Sequence, residues 1–182
     1  MGTIHDGFDE LYRQFFPQLV AYLVKIGMGH EAEDAAQETM GLVYLGWDTL
    51  DHPTRWAYRV ASRTASRALH RRRVGQDKVA LSVEGGWCPI ADPEPDGVLV
   101  KESEQELLDL LRTLPVQQRK VMALHLDGHP DEEIAAILQV RTGTVRSHRR
   151  HALNSLRTSF TAAHRPAGEQ NEEGSGPEER RS

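Results

Sequence analysis

The chain has 182 residues, of which 38% are hydrophobic, 27% charged and 6% aromatic, a balance that fits a soluble helical protein with small cores and excludes a fibrous one. No run approaches the roughly 18 consecutive apolar residues of a membrane span, and Met1–Asp9 lacks the basic-then-apolar order of a secretory leader, so a cytoplasmic protein without membrane insertion is expected. Cys88 is the only cysteine, which excludes an intramolecular disulfide and a cysteine-built metal cage, and the formal net charge of -5 speaks against nucleic acid only as an average.

Taken in chain order, Phe8, Leu11, Tyr12, Phe15, Leu19, Leu23 and Ile26 recur at three- and four-residue steps and predict a helix, bent or restarted at Pro17 and broken by Gly27 and Gly29. A second helix is expected over 31–47, burying Ala32, Ala35, Thr39, Val43 and Trp47 and exposing carboxylates; Met1 to Asp51 carries nine acids against two basic residues. After a turn at 51–54, a third helix over 54–73 points Trp56, Val60, Ala61, Thr64, Ala65 and Ala68 inward. It holds seven arginines between Arg55 and Arg73 and no acid. Arg55, Arg59, Arg63 and Arg67 step by four, about 400° of rotation each time, so they trace one slowly spiralling outer face.

Residues 74–101 hold Gly75, Gly85, Gly86, Pro89, Pro93 and Pro95 without sustained period and read as a flexible linker. Cys88 sits there and is read as an ordinary linker cysteine, with redox sensing the sharper alternative. Shorter helical patterns follow: one around Leu107–Leu114, one over 116–126 stopped near Gly128, one over 130–138 and one over 142–160. Nothing apolar larger than alanine remains from Pro166 onward, so 161–182 is expected to be a disordered tail. The expected fold is all-α: two small helical domains, residues 1–73 and 102–160, joined by the linker.

Two constellations carry chemistry. Pro130–Leu138, Gln139–Arg141 and Thr142–Ser147 have the form of a helix-turn-helix, with Ile134, Ala135 and Leu138 inward and Thr142 placed to cap the second helix. Arg141 to Arg157 holds five arginines and no acid, and the second helix offers Thr144, Arg146, Ser147, Arg149 and Arg150 to a major groove. Asp34, Gln37 and Glu38, at i, i+3 and i+4, share one helix face and offer acceptors to a basic protein surface.

The stretch Leu114–Leu124, followed by Gly128–Leu138 and Gly143–Ser147, resembles region 4 of the sigma-70 family, and Asp34-Ala-Ala-Gln37-Glu38-Thr39 resembles the region 2.2 motif of that family. Trp56 through Arg73 resembles regions 2.3 and 2.4; two helical modules on a short proline-rich linker look like the extracytoplasmic-function (ECF) group. The resemblance implies that 1–73 is a region 2 domain and 102–160 a region 4 domain. It also implies that Asp34, Gln37 and Glu38 bind the beta-prime clamp helices of core RNA polymerase and that Arg55, Arg59, Arg63 and Arg67 hold minus-ten promoter DNA. Arg141, Thr142, Thr144, Arg146, Ser147, Arg149 and Arg150 would read the minus-thirty-five element, with the polymerase beta flap as a further contact and an anti-sigma factor as an optional partner. The chain departs from the family at Arg63, often asparagine, and at Gln139, usually a glycine whose turn can require positive φ.

The sequence holds no HExxH, GxSxG or Walker-type loop and no clustered ligand set, so no catalytic residue, metal or cofactor is expected and the chain is read as a non-enzyme. The alternative is a LuxR-like helix-turn-helix regulator that works without polymerase. It would need a receiver or ligand domain, and residues 1–73 lack the alternating strands and helices that such a receiver requires.

Overall fold

The computed structural model describes residues 7–82 and 102–163, and side chains from 7–72 and 103–160. Cys88 and the acidic tail lie outside the described residues. Seven α-helices follow in order: α1 (Phe8–Lys25), α2 (Ala32–Leu45), α3 (Pro53–Ser82), α4 (Glu102–Arg112), α5 (Val116–Leu126), α6 (Asp131–Leu138) and α7 (Thr142–Ala163), with 3₁₀ turns at Gly29–Glu31 and Trp47–Thr49. Among the described residues there is no strand, and no helix is long and apolar enough to cross a membrane.

The helices form where the apolar period places them, with three informative differences. First, α1 runs unbroken through Pro17, carried by the burial of Phe15, Leu19, Tyr22 and Leu23 on one face. Packing outweighs the one hydrogen bond a proline removes. Second, α3 continues to Ser82, past Val74 where the linker was expected to begin. Third, Trp47 and Trp56 are half-buried against the core rather than inside it, and Ala57 and Tyr58 take the deep positions.

The ends of α1, α5 and α6 are closed by left-handed residues. After α1 the amides of Gly27 and Met28 return to the carbonyls of Val24 and Leu23 (3.0 Å each), and after α5 those of Gly128 and His129 return to His125 and Leu124 (3.1 Å each). Gly27, at φ 101, also has no room for a side chain, since an added Cβ would stand 2.5 Å from Arg119 Nη1. After α6 the left-handed position falls on Gln139 (φ 56, ψ 47), the one non-glycine residue with positive φ among those described. The glutamine thus keeps the positive φ that a glycine would take more easily at this turn, at a cost of about 1–2 kcal/mol.

One continuous hydrophobic core joins the two halves. Leu19, Tyr22, Leu23, Ile26, Met40 and Val43 belong to the same buried cluster as Val121, Leu124, Ile134, Ile137 and Val145. A smaller cluster of Leu111, Leu114, Met122 and Ala152 sits within the C-terminal half. Tyr58 is the aromatic hub, its ring meeting Phe15, Tyr22 and His129 edge-on at 5.0, 5.2 and 5.3 Å. Tyr22 shares a 2.6 Å hydrogen bond with Ser62 across α1 and α3. Burial pushes both phenols well above the ordinary tyrosine value.

Candidate nucleic-acid interface

The residues singled out in the sequence fall on three surfaces. On α2 the buried side is Ala32, Ala35, Ala36, Thr39, Met40 and Val43, which turns Asp34, Gln37 and Glu38 outward together. The three are exposed; Gln37 Oε1 accepts a 3.0 Å hydrogen bond from Tyr12 of α1. Leu42 and Leu45, 47% and 81% exposed, lie on the same helix one and two turns further along. The surface is therefore an acidic patch with an apolar continuation, the composition of a protein-binding face.

The second surface is the arginine row on α3. Ala57, Ala61, Ala65 and Ala68 bury one side of the helix, and small side chains let α3 lie close to α1 and α2. Arg63 and Arg67 are exposed and Arg55 and Arg59 half-buried. The row is not open along its length, because the C-terminal half packs onto it: Arg59 Nη2 donates to the carbonyl of Ala136 at 3.3 Å, and Arg63 Nη2 donates to Gln139 Oε1 at 2.6 Å. Arg55 Nε and Arg59 Nε are buried with no hydrogen-bond partner among the described residues. A buried, unpaired guanidinium N–H costs about 1–3 kcal/mol, and more for a charged group, so these arginines are held short of full satisfaction.

The third surface is the helix-turn-helix of α6 and α7. Ile134, Ala135 and Ile137 of α6 and Val145 and Ala152 of α7 are buried, while Leu138, expected inside, is half-buried. The amides of Thr144 and Val145 return to the carbonyl of Arg141 at 2.8 and 3.2 Å, so Arg141 holds the cap position and Thr142, expected to cap, opens the helix. Arg141, Arg146 and Arg150 are exposed; Thr142, Thr144, Ser147 and Arg149 are half-buried. Asp131, only 10% exposed at the start of α6, receives Arg149 Nη1 at 2.5 Å and faces Arg146 Nε at 3.4 Å. Glu132 accepts from Arg146 Nη2 at 3.3 Å.

The two halves are tied by polar contacts the sequence did not announce. Arg119 donates to the carbonyls of Ile26 (3.1 Å), Arg112 (2.6 Å) and Leu114 (2.9 Å), closing the end of α1 against the turn before α5. Lys25 pairs with Asp127, and Lys120 donates to Ser66. Lys120 is only 5% exposed, and desolvation lowers its pKa below the ordinary lysine value. One signal pointed to it: Val116 and Leu124 stand four residues on either side, which puts a lysine on an apolar stripe. Among the described residues no cluster of three or more His, Cys, Asp or Glu could hold a metal ion.

Two family models match the chain: Sigma-70 region 2 over residues 11–74 and Sigma-70, region 4 over residues 104–156. The ECF RNA polymerase sigma-E factor of Escherichia coli K12 is 32% identical over 148 residues, covering 75% of each chain, and that of Salmonella typhimurium LT2 aligns to the same extent. The ECF RNA polymerase sigma factor SigE of Mycolicibacterium smegmatis is 30% identical over 162 residues, 86% of this chain and 62% of that protein, so the chain spans under two thirds of that relative's length. Among solved structures, the sigma factor RpoE bound to the anti-sigma factor NepR from Bartonella quintana shares the fold with a TM-score of 0.63 at 23% identity, covering 85% of this chain and 96% of that one. CnrH in complex with the cytosolic domain of CnrY gives 0.62 at 18% identity, over 85% and 88%.

Proposed function

Because the chain belongs to the sigma-70 family, in its ECF group of RNA polymerase sigma factors, we propose that it binds core polymerase in the cytoplasm and directs it to promoters, performing no bond chemistry itself. The observation that carries this reading is the joint presence, in one chain, of an exposed acceptor face on α2, an arginine row on α3 and a separate helix-turn-helix. Asp34, Gln37 and Glu38 meet the beta-prime clamp helices, whose basic groups would find three acceptors on one face. Arg55, Arg59, Arg63 and Arg67 hold the phosphates of the minus-ten strand and stack on its unpaired bases.

Arg141, Arg146 and Arg150 enter the minus-thirty-five major groove with Thr142, Thr144, Ser147 and Arg149 at its edge, where arginine can bond guanine and the hydroxyls can bond bases or phosphates. The C-terminal half, residues 102–160, also lies against the polymerase beta flap. Binding energy from both halves offsets the cost of unpairing a few base pairs. Since Arg59 and Arg63 are engaged by Ala136 and Gln139, the two halves must part before both DNA surfaces can work. The sigma factor RpoE of Bartonella quintana is bound by the anti-sigma factor NepR, which supports a similar protein as an optional partner here.

The test is abortive initiation by purified core polymerase on a promoter library, with and without the chain. Specific products that need the chain are expected. Absence of products and of co-migration with core, together with duplex binding by the chain alone, would replace this reading with a polymerase-independent helix-turn-helix regulator.

A further inference from the structure

Where the halves meet, they enclose a cleft of about 550 Å³ between α3 on one side and α5, α6 and α7 on the other. Five of its lining residues are basic: Arg59, Arg63, Arg67, Lys120 and His148. None of its lining residues is a carboxylate. Among the described residues Arg59, Arg63 and Lys120 meet neutral acceptors: a carbonyl, an amide oxygen and a hydroxyl respectively. Three guanidiniums and the ammonium of Lys120 held in one cleft repel one another, and that lysine, 5% exposed, loses its hydration without a carboxylate in the lining to meet it.

Elsewhere among the described residues, basic groups that pair the two halves or the two helices of the helix-turn-helix through a charge meet carboxylates, as Lys25 does in Asp127 and Arg149 in Asp131. In the cleft no lining carboxylate compensates the positive charge. Its size falls within the range of about 300–1,000 Å³ that holds small ligands, and duplex DNA is excluded from it.

We propose that this cleft is a binding site for a small, multiply charged phosphate chain, a tripolyphosphate or the triphosphate of a nucleotide, which bridges the two halves. Phosphate oxygens sit among the three guanidiniums and the ammonium, which together offer donors from opposite walls. Gln117 and Gln139 supply neutral donors at the rim, and Leu138 and Val140 give an apolar shoulder on which a nucleoside could rest. The ligand neutralises the repulsion that opposes closure, so it binds the closed arrangement and not the parted one. Binding to one state alone shifts the equilibrium toward it. The site rests on the reading above in one respect, that the arginines it occupies are those assigned to promoter DNA; ligand and promoter would then compete for them.

The experiment is calorimetric titration of the full chain with sodium tripolyphosphate, GTP and GMP at fixed ionic strength, beside Lys120→Met and Gln117→Glu. Lys120→Met removes a charge from a buried position, and Gln117→Glu places a carboxylate at an exposed rim. The expected result is one ligand per chain, with tripolyphosphate bound at least tenfold more tightly than GMP and at least tenfold more weakly by either variant. GTP binding tenfold tighter than tripolyphosphate would identify a nucleotide as the ligand; equal affinity would identify the phosphate chain alone. No saturable binding by the wild type overturns the proposal, as does binding that neither variant weakens. If the wild type fails to bind while a chain truncated after residue 165 does bind, the acidic tail already fills the cleft and the proposal is overturned in favour of that occupant. Both variants should still support initiation, since neither Gln117 nor Lys120 is among the side chains assigned to promoter DNA or to the clamp helices. Initiation without phosphate binding removes the cleft alone, and phosphate binding without initiation removes the promoter reading alone.

Discussion

The arginines of α3 and those of α7 look alike in sequence, both in acid-free runs, yet they are held in different ways. On α7, Arg146 and Arg149 are met by Asp131 and Glu132 of the neighbouring helix, inside the same helix-turn-helix. On α3, Arg59 and Arg63 are met by a carbonyl and an amide oxygen from the other half of the molecule, and Arg67 stands exposed beside the cleft. The α7 pairs orient a reading helix that is already assembled. The Arg59 and Arg63 contacts exist only while the halves are together, whereas Arg72 further along α3 pairs with Glu31 of its own half at 2.7 Å. A carboxylate partner fixes an arginine, whereas a neutral partner gives it up readily to phosphate.

The largest expected effect tests whether the halves act as one unit. Leu124→Ala removes a fully buried side chain from the shared core and should lower stability by about 2–5 kcal/mol, with a single unfolding transition by calorimetry. Two separate transitions would show that the core is shared in position and not in energy. Next, Asp131→Asn should cost about 1.5–3 kcal/mol in thermal unfolding, because Arg149 loses a partly buried charged acceptor. A cost below about 0.5 kcal/mol would put the α7 pairs on the same footing as the α3 contacts.

Arg63→Ala should reduce open-complex formation at least tenfold, about 1.4 kcal/mol, and leave the affinity for core polymerase unchanged. It should also lower the salt slope of promoter binding by roughly 0.7 to 0.9 of a unit. Equal loss of both activities would mean that the face is misassigned. At Gln139, the glycine variant should be more stable than the alanine variant by about 1 kcal/mol, since both lose the acceptor for Arg63 and only glycine relieves the left-handed backbone.

The smallest effect is a pH slope. Lys120 has a folded-state pKa below its unfolded value, so between those two values the unfolded chain binds more protons and stability rises with pH. Lys120→Met should flatten that slope in urea titrations taken across the alkaline range.

Much of the fold was legible because helical period and helix breakers act locally. The inward faces of α2 and α6 and the stops at Gly27 and Gly128 follow from residues within one or two turns of each other. The outward placement of Asp34, Gln37 and Glu38 follows in the same way. What covers the arginine row was not legible, since period shows that a face is polar and says nothing of the element laid across it. Arg63 and Gln139 are 76 residues apart, and Lys25 and Asp127 are 102 apart. Such pairings depend on how the halves dock. Pro17 does not restart the helix, because a local penalty of a few kcal/mol can be outweighed by packing.

The hydrophobic cluster that runs from Leu19 and Tyr22 into Leu124 and Ile137 makes parting of the halves an act of wetting. Wetting apolar surface raises heat capacity, so the grip of one half on the other weakens on cooling and tightens on modest warming. Temperature thereby becomes an input to how readily the arginine row is uncovered, with no sensor beyond the core itself.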